Sequence, residues 1–129
     1  MTKFQANFPM ALDEPGRRLF VGCRAPARVL VYDTDSGKVV ASVGIAGDID
    51  DLFYDAARKR LYASCGEGFL DVVQQTAPGR YERVARLPTA AGARTSLLVP
   101  ELSRLYVAVP HRGGQGAEIR VYAIQDQTE

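Results

Sequence analysis

A chain of 129 residues, 47% of them hydrophobic, is long enough for one domain with a sizeable core. Its formal net charge of +1 excludes the excess of one sign that a nucleic-acid footprint or an acidic solvating tail needs. No apolar run approaches the length of a bilayer span, and two cysteines, Cys23 and Cys65, are too few for a disulfide scaffold.

The start, Met1-Thr2-Lys3-Phe4-Gln5, has no apolar h-region and no cleavage site. This fits a cytoplasmic protein, or a periplasmic one whose signal peptide lies outside this sequence. The chain then runs as short segments rich in Val, Tyr, Phe and Leu. Turn residues bound them: Pro15-Gly16, Ser36-Gly37, Pro78-Gly79 and Gly113-Gly114. In chain order the predicted strands are 3–7, 9–12, 18–23, 28–33, 38–43, 51–54, 60–65, 69–74, 81–87, 96–99, 104–109 and 118–124. Asp33-Thr34-Asp35-Ser36-Gly37-Lys38 reads as a hairpin turn, with Asp capping it and Gly supplying the left-handed conformation.

Three segments, 10–23, 52–65 and 96–109, align without a gap. Their anchors, Arg18-Leu19-Phe20, Arg60-Leu61-Tyr62 and Arg104-Leu105-Tyr106, lie 42 and 44 residues apart. Helical repeats of similar length need apolar residues at a 3.6-residue period, which is absent. A period of about 40–45 residues with several strands per unit is that of a propeller blade. The predicted fold class is therefore all-β: a β-propeller with three four-stranded blades, at about 8–43, 50–87 and 95–124. Propellers close with about 4–8 blades, so three blades form an open half-ring. The third blade ends after its third strand, at 118–124. Residues 3–7 are then predicted to act as an exchanged outer strand, added to that blade in a second copy, so that a homodimer closes a six-bladed ring.

These repeats resemble the YVTN-type β-propeller repeat family, bacterial propellers related to lactonase-like and quinoprotein-like ones. The residues that carry the resemblance are Arg104-Leu105-Tyr106-Val107-Ala108, Lys59-Arg60-Leu61-Tyr62-Ala63 and Val31-Tyr32-Asp33-Thr34-Asp35-Ser36-Gly37-Lys38-Val39-Val40. Asp13-Glu14-Pro15-Gly16-Arg17 is similar to the family's turn between first and second strands. Departures are Val99-Pro100-Glu101-Leu102 at that turn in the third blade and the missing final Asn of the family's name motif. The resemblance implies a fold and transfers no catalytic residue, because propellers of one family differ in function.

Loops at the channel mouth are where a ligand site is expected. The charged residues there are Arg24, Arg28, Asp48, Asp50, Asp51, Glu67, Arg94, His111 and Arg112. Asp48, Asp50 and Asp51 offer carboxylates for a hard cation, but no full Ca²⁺ loop motif is present, so ion pairing is the expected use. Asp50 and Arg94 occupy equivalent positions in adjacent blades and are predicted to pair. His111, the only histidine, lies in a Gly-rich loop and is read as an exposed loop residue rather than a general base. That loop lacks the helix and the Lys of a phosphate-binding loop. Cys23 and Cys65 share a repeat position, about 10 Å apart if blades stack, beyond the reach of a disulfide at about 7 Å. They are read as buried free thiols. The recurring Arg18, Arg60 and Arg104 are expected to cap the preceding turn or to pair with Asp13 and Asp55.

The expected function is a binding or interaction scaffold with no cofactor and no metal. Its expected partners are a second copy, with a small molecule or a protein as ligand, and neither nucleic acid nor membrane. The alternative is a fragment of a larger lactonase-like or quinoprotein-like enzyme with a metal or cofactor at the channel mouth.

Overall fold

The computed structural model describes residues 5–125. Among these residues eleven strands form three antiparallel sheets in chain order. Blade one comprises β1 (Gln5–Asp13), β2 (Arg18–Ala25), β3 (Ala27–Asp33) and β4 (Val39–Gly44). Blade two comprises β5 (Ile49–Asp55), β6 (Arg60–Cys65), β7 (Phe69–Ala77) and β8 (Arg80–Pro88). Among the described residues blade three has three strands, β9 (Ser96–Val99), β10 (Arg104–Val109) and β11 (Glu118–Ala123), in the order β11-β10-β9.

The sheets fan about a common inner line: β1 lies against β5, β5 against β9, and β4 against β8. Side chains on a strand alternate between its two faces, and β6 shows what that does here. Leu61, Ala63 and Cys65 enter the core shared with blade one, beside Phe20, Val29, Val31 and Ile49. Tyr62, between them, enters the core shared with blade three, beside Leu98, Leu105 and Val107. A strand covered on both faces reads as a continuous apolar run, as these do. Phe20 is fully buried, its ring stacked on Tyr54 at 5.0 Å and edge-on to Tyr81 at 5.8 Å. At Gly22 blades one and two approach so closely that a Cβ would stand 2.7 Å from Ile49 Cδ1.

The turn from first to second strand repeats down to its backbone angles. Arg17, Lys59 and Ser103, each just before the recurring Arg, have φ of 57°, 56° and 51°. Asp13 Oδ1 accepts the Gly16 N–H at 3.2 Å, and Asp55 Oδ1 accepts the Arg58 N–H at 3.3 Å. In blade three, Pro100–Leu102 make a single 3₁₀ turn that still ends in the left-handed residue. The departure from the repeat at Val99-Pro100-Glu101-Leu102 thus changes the turn and keeps its exit.

Two expectations are corrected. The recurring arginines do not pair with Asp13 and Asp55, whose carboxylates hold their own turns. Arg18 lies 3.8 Å from Asp33 and Arg60 donates to Gln74 Oε1 at 2.8 Å, each reaching the residue opposite it on the third strand. Arg18 and Arg104 also cap the preceding turn, the other expected role: Arg18 Nη1 donates to Arg17 O at 3.0 Å, and Arg104 Nη1 to Leu102 O and Ser103 O at 3.3 and 3.4 Å. Second, residues 5–7 do not form a separate outer strand: Gln5 and Asn7 pair with Ala25 and Cys23 inside blade one, past a bulge between Asn7 and Met10. β2 extends to Ala25, and the start of the chain supplies partners for its last backbone groups. Lys3 and Phe4 of the expected exchanged strand lie outside the described residues.

Both end faces of the stack are apolar and open. On blade one Met10 is 65% and Leu12 57% exposed; on blade three Leu97, Ile119 and Val121 are 57%, 63% and 55% exposed. Phe20→Ala is expected to cost about 3–5 kcal/mol of unfolding free energy, and Leu12→Ala less than about 0.5 kcal/mol in a monomeric sample. Urea denaturation followed by circular dichroism measures both.

Candidate functional site

At the mouth of the fan, three loops brace one another through backbone hydrogen bonds. Gly66 N–H donates to Asp48 O at 2.7 Å, Glu67 N–H to Gly47 O at 3.3 Å and Gly92 N–H to Gly66 O at 2.7 Å. The Glu67 carboxylate adds a bond from the Gly47 N–H at 3.2 Å. These contacts tie the loop leaving blade one, the inner loop of blade two and the loop leaving blade two into a single surface.

An ion network crosses that surface. Asp48 adopts a left-handed φ of 64°, which Asp tolerates better than most residues. Its Oδ2 accepts from Arg94 Nε at 2.7 Å, and its Oδ1 lies 3.4 Å from Arg24 Nε. Arg24 also donates to Ile49 O at 2.9 Å and, through Nη2, to Asp50 Oδ1 at 3.3 Å. The order is Asp50, Arg24, Asp48, Arg94, so residues serving three blades are joined by alternating charges. The Asp48–Arg94 pair lies across Gly66, where a Cβ would collide with both side chains.

The expected Asp50–Arg94 pair is therefore replaced by Asp48–Arg94 and Asp50–Arg24. The strand register shifts between Ile49 and Asp51. Together with the left-handed Asp48, that bulge sets Asp48 between the two arginines and sends Asp50 toward blade one. Asp51 goes elsewhere again: its Oδ2 accepts the Ser96 N–H at 2.8 Å at the entry to β9. Burial raises the Asp51 carboxyl above its ordinary range against that hydrogen bond, and the neighbouring Asp50 charge adds to the rise. Asp48 and Asp50 thus share Arg24 while Asp51 turns to the Ser96 backbone, and among the described residues no three His, Cys, Asp or Glu side chains gather into a metal-sized group.

Of the remaining candidates, Arg28 donates to Ser42 Oγ on the adjoining strand β4 and does not join the network. His111 is exposed. Arg112 forms a small bridge with Gln115, through bonds of 2.9 and 2.7 Å, and its guanidinium packs over Gly92. Cys23 and Cys65 are buried free thiols. Burial pushes the Cys65 thiol up to about 12, and the Asp71 carboxylate adds to the shift.

Asp71 is the residue that loop-based reasoning misses. It is fully buried in the middle of β7, where its two oxygens accept from Arg86 Nε and Nη2 at 2.8 and 3.0 Å. Oδ2 also accepts the Ala46 N–H at 2.7 Å, fastening the loop that leaves blade one to the centre of blade two. Arg86 lies over the Phe69 ring, 5.5 Å from its centroid, and the bond to Asp71 raises its pKa. The signal was present in Phe69-Leu70-Asp71-Val72-Val73: one carboxylate in a covered apolar strand must find a cation or donors. A second tie of this kind joins blades two and three. Buried Asp55 accepts from Arg58 Nη1 at 2.9 Å, and Arg58 Nη2 donates to Ser103 Oγ at 3.0 Å.

No protein-family model and no curated protein matches the chain. Solved structures do. A chain of the Kuenenia stuttgartiensis hydrazine synthase superposes with a TM-score of 0.79 at 18% identity, over 91% of this chain and 34% of its own length. A chain of the mitotic checkpoint complex superposes with a TM-score of 0.80 at 14% identity, over 98% of this chain and 39% of its own. The Cps50 (Swd1) β-propeller domain of Myceliophteria thermophila gives a TM-score of 0.56 at 15% identity, over 90% and 42%. The chain is an open section of a β-propeller, and it spans between a third and under half the length of these propeller chains.

Asp71→Ala leaves the Arg86 guanidinium and the Ala46 N–H without their acceptor, with an expected loss of about 3 kcal/mol by chemical denaturation. Neither thiol is expected to react with a maleimide at pH 8 in the folded protein, whereas both label within minutes in denaturant, as mass spectrometry will show. The buried thiol also sets a sign for alkaline stability. Cys65 ionises at about 12 when folded against an ordinary value of 9.0, so this contribution is intact below pH 9 and is lost as pH rises toward 12.

Proposed function

We propose that this chain is an interaction scaffold of the YVTN-repeat type, which pairs with a second copy into a six-bladed ring and presents the braced channel-mouth loops to a ligand. The open apolar faces at the two ends carry the proposal. Met10 and Leu12 on one end and Leu97, Ile119 and Val121 on the other are side chains of the kind that fill the cores between blades one and two and between two and three. A two-fold arrangement sets blade three of each copy against blade one of its partner, using the same two surfaces twice and leaving none open. Propeller chains that resemble this one sit in assemblies, the mitotic checkpoint complex among them, which favours a protein as the ligand.

The enzyme alternative, a piece of a longer propeller with a metal or cofactor at its axis, draws support from the shares of 34%, 39% and 42% that this chain covers in its structural neighbours. The mouth chemistry favours the scaffold. Asp48 and Asp50 are already neutralised by Arg24 and Arg94, so a cation placed there would have to compete with three ion pairs.

Light scattering coupled to gel filtration tests the ring: twice the chain mass at micromolar concentration is expected, and a stable monomer overturns it. Ile119→Arg puts a charge in the proposed contact, and its expected outcome is a folded monomer with an unchanged circular-dichroism spectrum.

A further inference from the structure

The alternating series of charges at the mouth ends on a cation, and beside that cation stands another. Arg94 engages Asp48 through Nε alone, at 2.7 Å. Among the described residues its Nη groups have no partner. Arg112, on the loop between β10 and β11, has no hydrogen bond and no ion pair on its guanidinium among the described residues.

The two side chains stand over one backbone seam. Gly92 N–H donates to Gly66 O at 2.7 Å, and Arg94 N–H to Gly92 O at 3.0 Å. A Cβ at Gly66 would lie 2.7 Å from Arg94 Nε. A Cβ at Gly92 would lie 2.6 Å from Arg112 Nη1 and 3.2 Å from its Cδ. Two glycines thus let two cationic side chains pack directly on the loops.

The repeat shows what is missing there. Asp48 and Gly92 each lie four residues before an aligned segment, 52–65 and 96–109. Both are left-handed, with φ of 64° and 84°. In the first loop this position carries the carboxylate shared by Arg24 and Arg94. In the second it carries no side chain, and a guanidinium occupies the space above it. Other carboxylates at this end are engaged: Glu67 accepts the Gly47 N–H at 3.2 Å, and Glu118 pairs with Arg120 at 2.7 Å.

Arg112 is also held in place. Its N–H and C=O exchange bonds with Gln115 at 2.9 and 2.7 Å, and Gln115 Nε2 donates to Pro110 O at 2.9 Å. A side chain that is packed and projects from a closed loop loses little further freedom on binding. Two like charges on adjoining loops repel, and an anion between them reverses that repulsion.

We propose that Arg94 and Arg112 form a clamp for carboxylate side chains on an acidic segment of a partner protein. Arg112 takes one carboxylate through two N–H groups, the geometry that suits a guanidinium. Arg94 keeps Asp48 on Nε and offers its Nη groups to the same carboxylate or the next. A singly charged carboxylate fits better than a phosphate, because Asp48 stands alongside and repels a dianion more strongly. The clamp deepens the reading of the mouth loops as a receptor for a protein ligand and rests on it, though not on ring closure.

The probe is the synthetic peptide acetyl-Gly-Asp-Glu-Asp-Glu-Gly-amide, titrated at low salt into the full isotope-labelled chain and followed by NMR. Saturable shifts are expected at the Gly92 amide and at the Nε–H signals of Arg94 and Arg112, with a sub-millimolar Kd that weakens as salt is added. Arg112→Gln is expected to weaken binding at least about fivefold. Arg17→Gln removes the same charge from the turn between β1 and β2, at the other end of the blade. It is expected to leave the Kd within about twofold, since screening isolates distant charges. The peptide with Asn and Gln in place of Asp and Glu should give no saturable shift. Absence of saturable shifts with the acidic peptide overturns the proposal. An equal loss in Arg17→Gln overturns it too, as attraction to net charge alone. Sodium phosphate saturating the same signals where the peptide does not overturns the protein partner and marks a site for a free anion. Light scattering on the same samples reads the ring separately: a dimer that ignores the peptide removes the clamp and keeps the assembly, and a monomer that binds it does the reverse.

Discussion

A sheet with two apolar faces cannot stand alone in water, and that constraint organises this molecule. β6 sends Leu61, Ala63 and Cys65 into one core and Tyr62 into the other. Blade two thus exists as a folded unit only between two neighbours. Each outer blade satisfies this requirement on one face and leaves its other face open. The radial stack, the open ends and the proposed pairing of two copies all descend from that condition.

Apolar stacking is non-directional, so it does not fix the angle at which one blade meets the next. Buried polar ties supply the direction. Asp71 holds the Ala46 N–H from the preceding loop and the Arg86 guanidinium from the outer strand. Asp55, through Arg58 and Ser103, ties blade two to blade three. These carboxylates sit where water does not compensate them, so each bond is costly to leave unmade. Such groups select one arrangement of the fan over others that bury similar apolar area.

The mouth of the fan follows the same logic in a more solvated setting. Asp50, Arg24, Asp48 and Arg94 alternate in sign and span all three blades, which makes the surface locally neutral and mechanically continuous. A surface of this type suits recognition by shape and hydrogen bonding. The outer rim differs: between β8 and β11 it keeps a cleft with an apolar lining that includes Val84, Leu87 and Tyr122.

The strands, their order, the repeat and the turns were legible in the sequence because they are written in residues close together along the chain. The run Arg60-Leu61-Tyr62 specifies a covered strand by its own composition, and Asp13 and Asp55 specify their turns through donors three residues on. The burial of Cys23 and Cys65 followed in the same way from their repeat position. What the tertiary structure alone decided is which charge meets which. Asp48 rather than Asp50 meets Arg94 across 46 positions, because a bulge and one left-handed residue turn the loop. Gln5 and Asn7 pair within blade one because β2 runs on to Ala25. Asp71 was visible as an anomaly, yet its partners, Ala46 and Arg86, lie 25 and 15 residues away in opposite directions. Periodicity and turn chemistry are local properties, whereas an ion pair between blades depends on backbone angles summed over an entire repeat, and only the folded chain performs that sum.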